Sequence, residues 1–324
     1  MPIEKPIVCL GILVADMIGR PVGYVPAPGR LALVDEMGLY IGGCAVNSAS
    51  VLALMGLPVE VIGKVGSDPI GDFVVNALRQ RGIGAQGVKR DPNVGTSATM
   101  VMVDPDGERR FVHYIGANAR LTLDDIELEM VRTASILDIA GALVLPGIDG
   151  EPTAWLLQEA HTAGVVTFLD TVWDATGRWM ETLASCLPHL DYFVPSLPEA
   201  QAITKREDPA EAARVILDHG VGTVALKMGS DGCLVARQGE ELFYLPAFQV
   251  DVVDATGAGD AFTAGFIAGV WHGWSLEKTA HFANAVGALC VTGMGALGGV
   301  RSLPETLHFM DVTPLRKQKK IEYQ

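Results

Sequence analysis

The chain has 324 residues, of which 49% are hydrophobic and 19% charged, and its formal net charge is −14. This length suits one large α/β domain with a small appendage, and the acidic balance disfavours nucleic acid as a partner, because nucleic acid requires a basic surface. No apolar run reaches the roughly 18 residues of a membrane span, and the N-terminus lacks a signal-peptide pattern. The five cysteines include no closely spaced pair, which is typical of reduced cytosolic thiols. We therefore expect a cytoplasmic enzyme, with a solvated basic tail at residues 316–320.

The first elements in chain order predict a buried strand and then an excursion from the main sheet. Residues 7–14 form a continuous apolar run, and Asp16 follows it at the end where ligands of parallel sheets bind. Prolines and glycines exclude a helix from residues 19–40, where apolar pieces such as residues 31–34 suggest strands. The string Ile41-Gly42-Gly43-Cys44-Ala45-Val46-Asn47 then opens a helix of small residues. Its paired glycines permit a ligand to approach the backbone, although Asn47 is also a plausible helix cap.

A second excursion is predicted between two parts of the main sheet. Residues 59–65 have the pattern of a strand and residues 72–81 that of a helix. Residues 99–103 and 110–115 flank the turn Asp104-Pro105-Asp106-Gly107, which is typical of a β-hairpin. We expect the two excursions, residues 19–40 and 96–115, to form a small β-sheet lid over a core of residues 1–18, 41–95 and 116–324.

From residue 136 onward, short apolar strands alternate with helices. Strands are predicted at residues 142–145, 165–169, 192–194 and 223–226, and helices at residues 152–163 and 209–218. Such alternation is typical of a mostly parallel sheet with helices on both faces. Asp170, Ser196 and Gly229 lie just past three strand ends, where ligands bind in such sheets. For Asp170, a turn cap is an equally open interpretation.

The segment Asp254-Ala255-Thr256-Gly257-Ala258-Gly259-Asp260 joins a predicted strand, residues 242–253, to a predicted apolar helix, residues 261–271. Its glycines permit a sharp turn, and the unpaired amides at a helix start attract an anion. A carboxylate repels an anion, so Asp260 makes chemical sense as a group that takes a proton from a nucleophile beside a phosphoryl group. The alternative is an ordinary turn with Asp260 as an N-terminal charge, because short glycine motifs are weak signals. Within the helix, Gly265 and Gly269 predict close packing against a neighbour.

This segment resembles the C-terminal signature of the ribokinase (PfkB) family of sugar and nucleoside kinases, and further matches extend from residue 7 to residue 300. The resemblance implies a ribokinase-like α/β fold. It implies that Asp260 is the catalytic base and that the amides of Gly257, Ala258 and Gly259 form an anion hole. The residues that it assigns to sugar binding are Asp16, Gly42, Gly43 and Asn47. The residues that it assigns to the nucleotide side are Lys227, Gly229, Gly232 and Asn284, with residues 293–296 closing over adenine.

The same resemblance implies ATP and Mg²⁺ as cofactors. The family usually has Asn-x-x-Glu where this chain has Ser196-Leu197-Pro198-Glu199, so Glu199 is expected to reach Mg²⁺ through water while a hydroxyl replaces the usual amide. Asp254 and Thr256 match the K⁺ site on which some members depend, which makes K⁺ a further hypothesis.

We therefore expect an ATP-dependent kinase, ribokinase- or fructokinase-like, that phosphorylates a primary hydroxyl of a small sugar. The resemblance also implies a homodimer that forms through the lid. A nucleoside kinase of the same family is an alternative, because Tyr24, Tyr40 and Phe111 could hold a base. A sugar-binding sensor without catalysis is an alternative of another class, although a sensor would not need Asp260. A dinucleotide dehydrogenase is disfavoured because no Gly-x-Gly-x-x-Gly follows the first strand.

Overall fold

A computed structural model describes residues 5–317 of the chain, which form a large core sheet and a small second sheet. Across that range the strands are β1 (Ile7–Gly11), β2 (Val14–Arg20), β3 (Glu36–Gly42), β4 (Val59–Gly66), β5 (Gly84–Asp91), β6 (Ala98–Val103), β7 (Arg109–Tyr114), β8 (Ile136–Ala142), β9 (Val166–Thr171), β10 (Tyr192–Phe193), β11 (Thr223–Lys227), β12 (Cys233–Arg237) and β13 (Phe243–Leu245). The α-helices are α1 (Cys44–Leu54), α2 (Pro69–Gln80), α3 (Leu128–Thr133), α4 (Glu151–Thr162), α5 (Met180–Leu183), α6 (Leu197–Thr204), α7 (Pro209–Asp218), α8 (Ala258–Trp271), α9 (Leu276–Cys290) and α10 (Leu303–Val312).

The core sheet has the strand order β13-β12-β11-β10-β9-β8-β1-β4-β5. All its pairings from β5 to β11 are parallel, and β12 and β13 add an antiparallel edge. Two separate apolar clusters cover its two faces, one with α1, α2, α8 and α9 and the other with α3, α4, α6 and α7. The predicted mostly parallel sheet between helical layers is confirmed.

Close packing of α8 against α9 fixes the helix that carries the anion turn. A Cβ on Gly265 would lie 2.8 Å from the Cγ2 of Val286, and one on Gly269 would lie 2.7 Å from the side chain of Thr279. The two glycines therefore let the helix backbones approach each other, as their spacing predicts. No helix among residues 5–317 is long and apolar enough to cross a membrane.

The second sheet, here called the lid sheet, has the order β3-β2-β6-β7. Its central pair, β2 and β6, is parallel, and the two outer pairings are antiparallel. The side chain of Asn118 holds the crossing between β1 and β2, because it both accepts from the Leu13 amide at 3.1 Å and donates to the Leu13 carbonyl at 3.0 Å. Asp68, the N-cap of α2, likewise accepts hydrogen bonds from both the backbone and the hydroxyl of Thr96.

Several predicted strand bounds differ from the structure. The apolar run at 7–14 is divided between β1 and β2, because the chain leaves the core sheet for the lid sheet after Gly11. Residues 31–34 are not a strand, and Leu31 and Leu33 are 78% and 85% exposed. The strand predicted at residues 142–145 is β8, which ends at Ala142 because Leu143 turns with a φ of +80°. The long strand predicted at residues 242–253 is shortened to β13, because Pro246 has no amide to continue the ladder. The sequence did not predict β12.

Candidate active site

The predicted anion turn lies at the N-terminus of α8. Gly257 is the N-cap residue, and its φ of +74° lies in the left-handed region that favours glycine. A Cβ at this position would lie 2.6 Å from the Cβ of Ala296, so the turn also needs glycine for space. Amides in the first turn of a helix have no partner within the helix, which makes this turn a site for negative charge. The amide of Ala258, however, donates to the Ala255 carbonyl at 3.3 Å and is already engaged inside the turn.

Asp260 follows two residues after the start of α8, and its carboxylate is held by a residue from the other end of the chain. The side-chain amide of Asn47, near the start of α1, donates to the Asp260 Oδ2 at 2.7 Å. Burial raises the pKa of Asp260, while the hydrogen bond from Asn47 and the charge of Lys227 oppose that rise. A carboxylate with a raised pKa accepts a proton more readily, so the environment suits a general base. Cys44 also contacts this carboxylate, and burial raises the pKa of the thiol.

A buried ion pair lies beside the anion turn. The ammonium of Lys227, at the end of β11, contacts both oxygens of Asp170 at 2.6 and 2.7 Å, and the Thr263 hydroxyl donates to the same carboxylate. Burial raises the pKa of Asp170 to about 6, against the effect of Lys227. The pKa of Lys227 is raised because attraction to Asp170 outweighs its burial. A Cβ on Gly259 would lie 3.4 Å from the Lys227 Nζ, so a positive charge borders the turn.

Ser196 and Glu199 form a helix capping box at the start of α6. The Ser196 hydroxyl accepts from the Glu199 amide at 3.4 Å, and the Glu199 Oε2 accepts from the Ser196 amide at 2.8 Å and from the Thr171 hydroxyl at 3.1 Å. Ser196 thus has a local role that explains a hydroxyl at this position. Glu199, Asp170 and Asp260 all line one cleft. Oxygen donors of this kind suit Mg²⁺. Residues 5–317 contain no cluster of three acidic, histidine or cysteine side chains that could hold a metal ion directly.

The α8–α9 cleft is a mostly apolar space of about 250 Å³ beside the anion turn. Its lining includes Lys227, Gly229, Gly232, Phe248, Asn284 and Arg316. The structure therefore brings together the four residues that the sequence assigned to the nucleotide side. The Asn284 amide is used within the protein, where it donates to the carbonyls of Leu245 and Pro246.

Arg316 begins the predicted basic tail, and its backbone is held against the core. Its amide donates to the Ala247 carbonyl at 2.8 Å, and its neighbour Leu315 bridges to Phe248. These contacts hold the backbone of Arg316 on the wall of the α8–α9 cleft, while Arg316 and Lys317 are exposed, as predicted for a solvated tail. Residues 318–320 of the same predicted tail lie outside the described residues.

The lid pocket, of about 420 Å³, lies between the lid sheet, α1 and the loop after α9. Its lining includes Asp16, Tyr40, Asn47, Arg109 and Phe111. Gly42 and Gly43 lie beside it: a Cβ on Gly42 would lie 2.3 Å from the Asp16 Oδ2, and one on Gly43 would lie 2.3 Å from the Ile12 carbonyl oxygen. Burial raises the pKa of Asp16, although hydrogen bonding to Thr99 and the charges of His113 and Arg109 oppose this.

One predicted loop and one predicted aromatic residue lie elsewhere than expected. Residues 293–296 were expected over adenine, but Met294, Gly295 and Ala296 line the lid pocket instead, because the turn after α9 folds back onto Gly257. Tyr24, which was expected in an aromatic slot, is 60% exposed and does not line this pocket, unlike Tyr40 and Phe111.

The predicted potassium ligands are engaged by an arginine that was not among the predicted site residues. Arg109, the first residue of β7, forms an ion pair with the Asp254 carboxylate and donates to the Thr256 hydroxyl. A guanidinium at these side chains repels a second cation, so they do not fit K⁺ in this arrangement. The sequence did carry one signal for this contact. Alternation along β7 places Arg109 on the same face as Phe111, and this face is directed toward the lid pocket.

The hydrogen bond between Asn47 and Asp260 joins the lid pocket to the anion turn. The predicted sugar-binding residues and the predicted phosphoryl-transfer residues therefore meet at the Asp260 carboxylate.

Comparisons with known proteins agree with this geometry. The family described as pfkB family carbohydrate kinase matches residues 4–302. The ribokinase of Haemophilus influenzae is 28% identical over 95% of this chain and 99% of its own length, and a probable fructokinase-5 of Arabidopsis thaliana is 29% identical over 85% and 90%. The structure of an Arabidopsis thaliana ribokinase complexed with ribose and ATP superposes with a TM-score of 0.81 and 26% identity, covering 95% of this chain and 99% of that one. This chain belongs to the PfkB family of carbohydrate kinases.

Proposed function

We propose that this protein transfers the γ-phosphoryl group of ATP to a primary hydroxyl of a small sugar. The observation that carries the proposal is the position of Asp260, a partly buried carboxylate in the cleft of Asp170 and Glu199. It directly follows Gly259, which lines the α8–α9 cleft, and it accepts a hydrogen bond from Asn47, which lines the lid pocket. A sugar in the lid pocket and ATP in the α8–α9 cleft would approach each other at this carboxylate. The relatives named ribokinase and fructokinase support a small sugar as the acceptor.

In this proposal Asp260 accepts the proton of the attacking hydroxyl. Phosphoryl transfer needs little covalent help from the protein, so positioning and charge stabilisation supply most of the catalysis. The amides at the start of α8, chiefly those of Gly257 and Gly259, stabilise negative charge on the transferring group, and the Lys227 ammonium adds a positive charge beside them. Asp16 and Asn47 bind sugar hydroxyls within the lid pocket.

Mg²⁺ would neutralise charge on the phosphates when it is bound. Glu199 faces the cleft that contains Asp260, and its hydrogen bonds to Ser196 and Thr171 hold the carboxylate in a fixed orientation. We propose that this carboxylate orders water around the ion.

The test is release of ADP by the purified protein with a panel of ribose, fructose, other small sugars and nucleosides. We expect ADP release to depend on one or a few sugars, and the phosphorylated product identifies the carbon that reacts. Preference for a nucleoside would support the alternative kinase, which Tyr40 and Phe111 in the pocket lining favour. Sugar binding without ADP release would identify a sensor and contradict the proposal.

We also propose that the outer face of the lid sheet forms a homodimer. Strand alternation places Asp16, Thr99 and Phe111 toward the lid pocket, and it leaves Met17, Met37, Met100, Val112 and Tyr114 exposed on the other side. An apolar sheet face of this kind supports association. Light scattering after size exclusion should show a dimer, and Met100→Glu should produce monomers. The cytoplasmic location stays a prediction.

A further inference from the structure

Arg109 connects the lid to the segment that carries the anion turn. It lies at the start of β7, 145 residues from Asp254 in the sequence, and its side chain is only 13% exposed. The Asp254 side chain is 4% exposed, so both charges are removed from most of the solvent. An ion pair this deep is costly unless each charge is well matched. The Arg109 guanidinium uses two nitrogens here, one donating to the Asp254 carboxylate and the other to the Thr256 hydroxyl.

Asp254 organises both sides of the anion turn. Its Oδ1 accepts from the Thr256 amide at 2.9 Å, and its Oδ2 accepts from the Gly295 amide at 2.6 Å as well as from Arg109. Burial raises the pKa of Asp254, but these hydrogen bonds outweigh it and the net shift is downward. The carboxylate is therefore a fixed negative charge, and Arg109 is its ion-pair partner.

The anion turn and the loop after α9 are also held together behind Gly257. The Cys290 thiol donates toward the carbonyls of Thr256 and Ala296, at 3.5 and 3.2 Å. The backbone of Ala296 packs directly against Gly257. Any cation at Asp254 thus fixes the turn from behind, without contact with the transferring group.

We propose that Arg109 is the resident cation of this site, in place of an alkali-metal ion, and that it positions the anion turn through Asp254. Because Arg109 is carried by the lid sheet, the support for the turn is complete only when the lid lies against the core. Arg109 is a positioning residue, and the kinetic part of its test rests on the proposed kinase activity.

The test compares KCl with tetramethylammonium chloride at equal ionic strength, using wild type, Arg109→Ala, Arg109→Lys and the matched control Arg110→Ala. Arg110 is the neighbouring arginine, and it pairs with Asp104 at an exposed position. We expect the kcat and the Tm of wild type and Arg110→Ala to be equal in the two salts. Without K⁺, Arg109→Ala should lose about ten- to a hundred-fold in kcat, the size expected for a lost charged hydrogen bond, with a smaller change in the KM for sugar. K⁺ should restore part of the lost kcat of Arg109→Ala and raise its Tm. The kcat and Tm of Arg109→Lys should differ less between the two salts than those of Arg109→Ala.

A wild-type protein whose kcat or Tm requires K⁺ would overturn the proposal, and this comparison needs no variant to fold. A loss of kcat in Arg109→Ala that K⁺ leaves unchanged would overturn it as well. If wild type phosphorylates no acceptor, the proposed function fails by itself, and the melting comparison alone then decides the role of Arg109.

Discussion

Replacing Asp260 by Asn removes the proton acceptor while nearly conserving the side-chain volume. The Asn47 amide, which donates to the Asp260 Oδ2 at 2.7 Å, can still donate to the amide oxygen of the new side chain. The sugar hydroxyl therefore keeps its surroundings but loses its general base. Such a base contributes about 10²- to 10⁴-fold, or about 2.7–5.5 kcal/mol, and kcat should fall by that factor. The affinities for sugar and ATP should be preserved.

The same substitution should leave folding intact. Burial raises the pKa of Asp260, so the folded protein holds the ionised carboxylate less favourably than water does. A group with a raised pKa in the folded state contributes its stability at low pH and loses it as the pH rises through the raised value. At neutral pH the Asp260→Asn variant avoids that loss, so its Tm should equal or exceed that of wild type. The difference should fade as the pH falls toward the ordinary carboxyl value of 3.8.

Steady-state kinetics and thermal melting of the purified Asp260→Asn variant provide the measurement. Glu277→Gln is a matched control, because it removes an exposed carboxylate from the first turn of the adjacent helix α9. This control should keep wild-type kcat. A folded Asp260→Asn protein that retains more than about a tenth of the wild-type kcat would refute the assignment of a general base.

Three further substitutions and one control substitution test other parts of the site. Asp16→Ala should lower kcat/KM for sugar about ten- to a hundred-fold, because a charged hydrogen bond is worth about 1.5–3 kcal/mol, and a collapse of ATP affinity instead would show that Asp16 is misassigned. Asn47→Ala removes a bond that lowers the pKa of Asp260, so the acid limb of the pH profile of kcat/KM should move to higher pH; an unchanged midpoint would contradict this role. Gly257→Ala should lower both Tm and kcat, because Gly257 has a φ of +74° and a Cβ there would collide with Ala296. Gly295→Ala has a similar φ of +76° but open space around the new Cβ, so its Tm and kcat should fall less. Equal losses in the two variants would show that only backbone strain matters.

Local sequence patterns were sufficient to predict much of the fold. The helix at residues 209–218 and the hairpin of β6 and β7 follow from apolar periodicity, helix caps and turn residues, and these signals act over a few neighbouring positions. Strand ends were less well predicted. Leu143 with its positive φ ends β8, although its apolar side chain continues the strand pattern.

The sequence by itself determined the family, the anion turn and the residue types that a phosphoryl-transfer site needs, because these reside in short strings whose backbone demands are local. Only the tertiary structure decided which side chains meet there. Asn47 reaches Asp260 across 213 residues and Arg109 reaches Asp254 across 145, because the lid sheet and α1 both pack toward the start of α8. Such contacts depend on how the layers of the fold pack together. A local pattern along the chain does not specify which distant side chains this packing brings within hydrogen-bond distance.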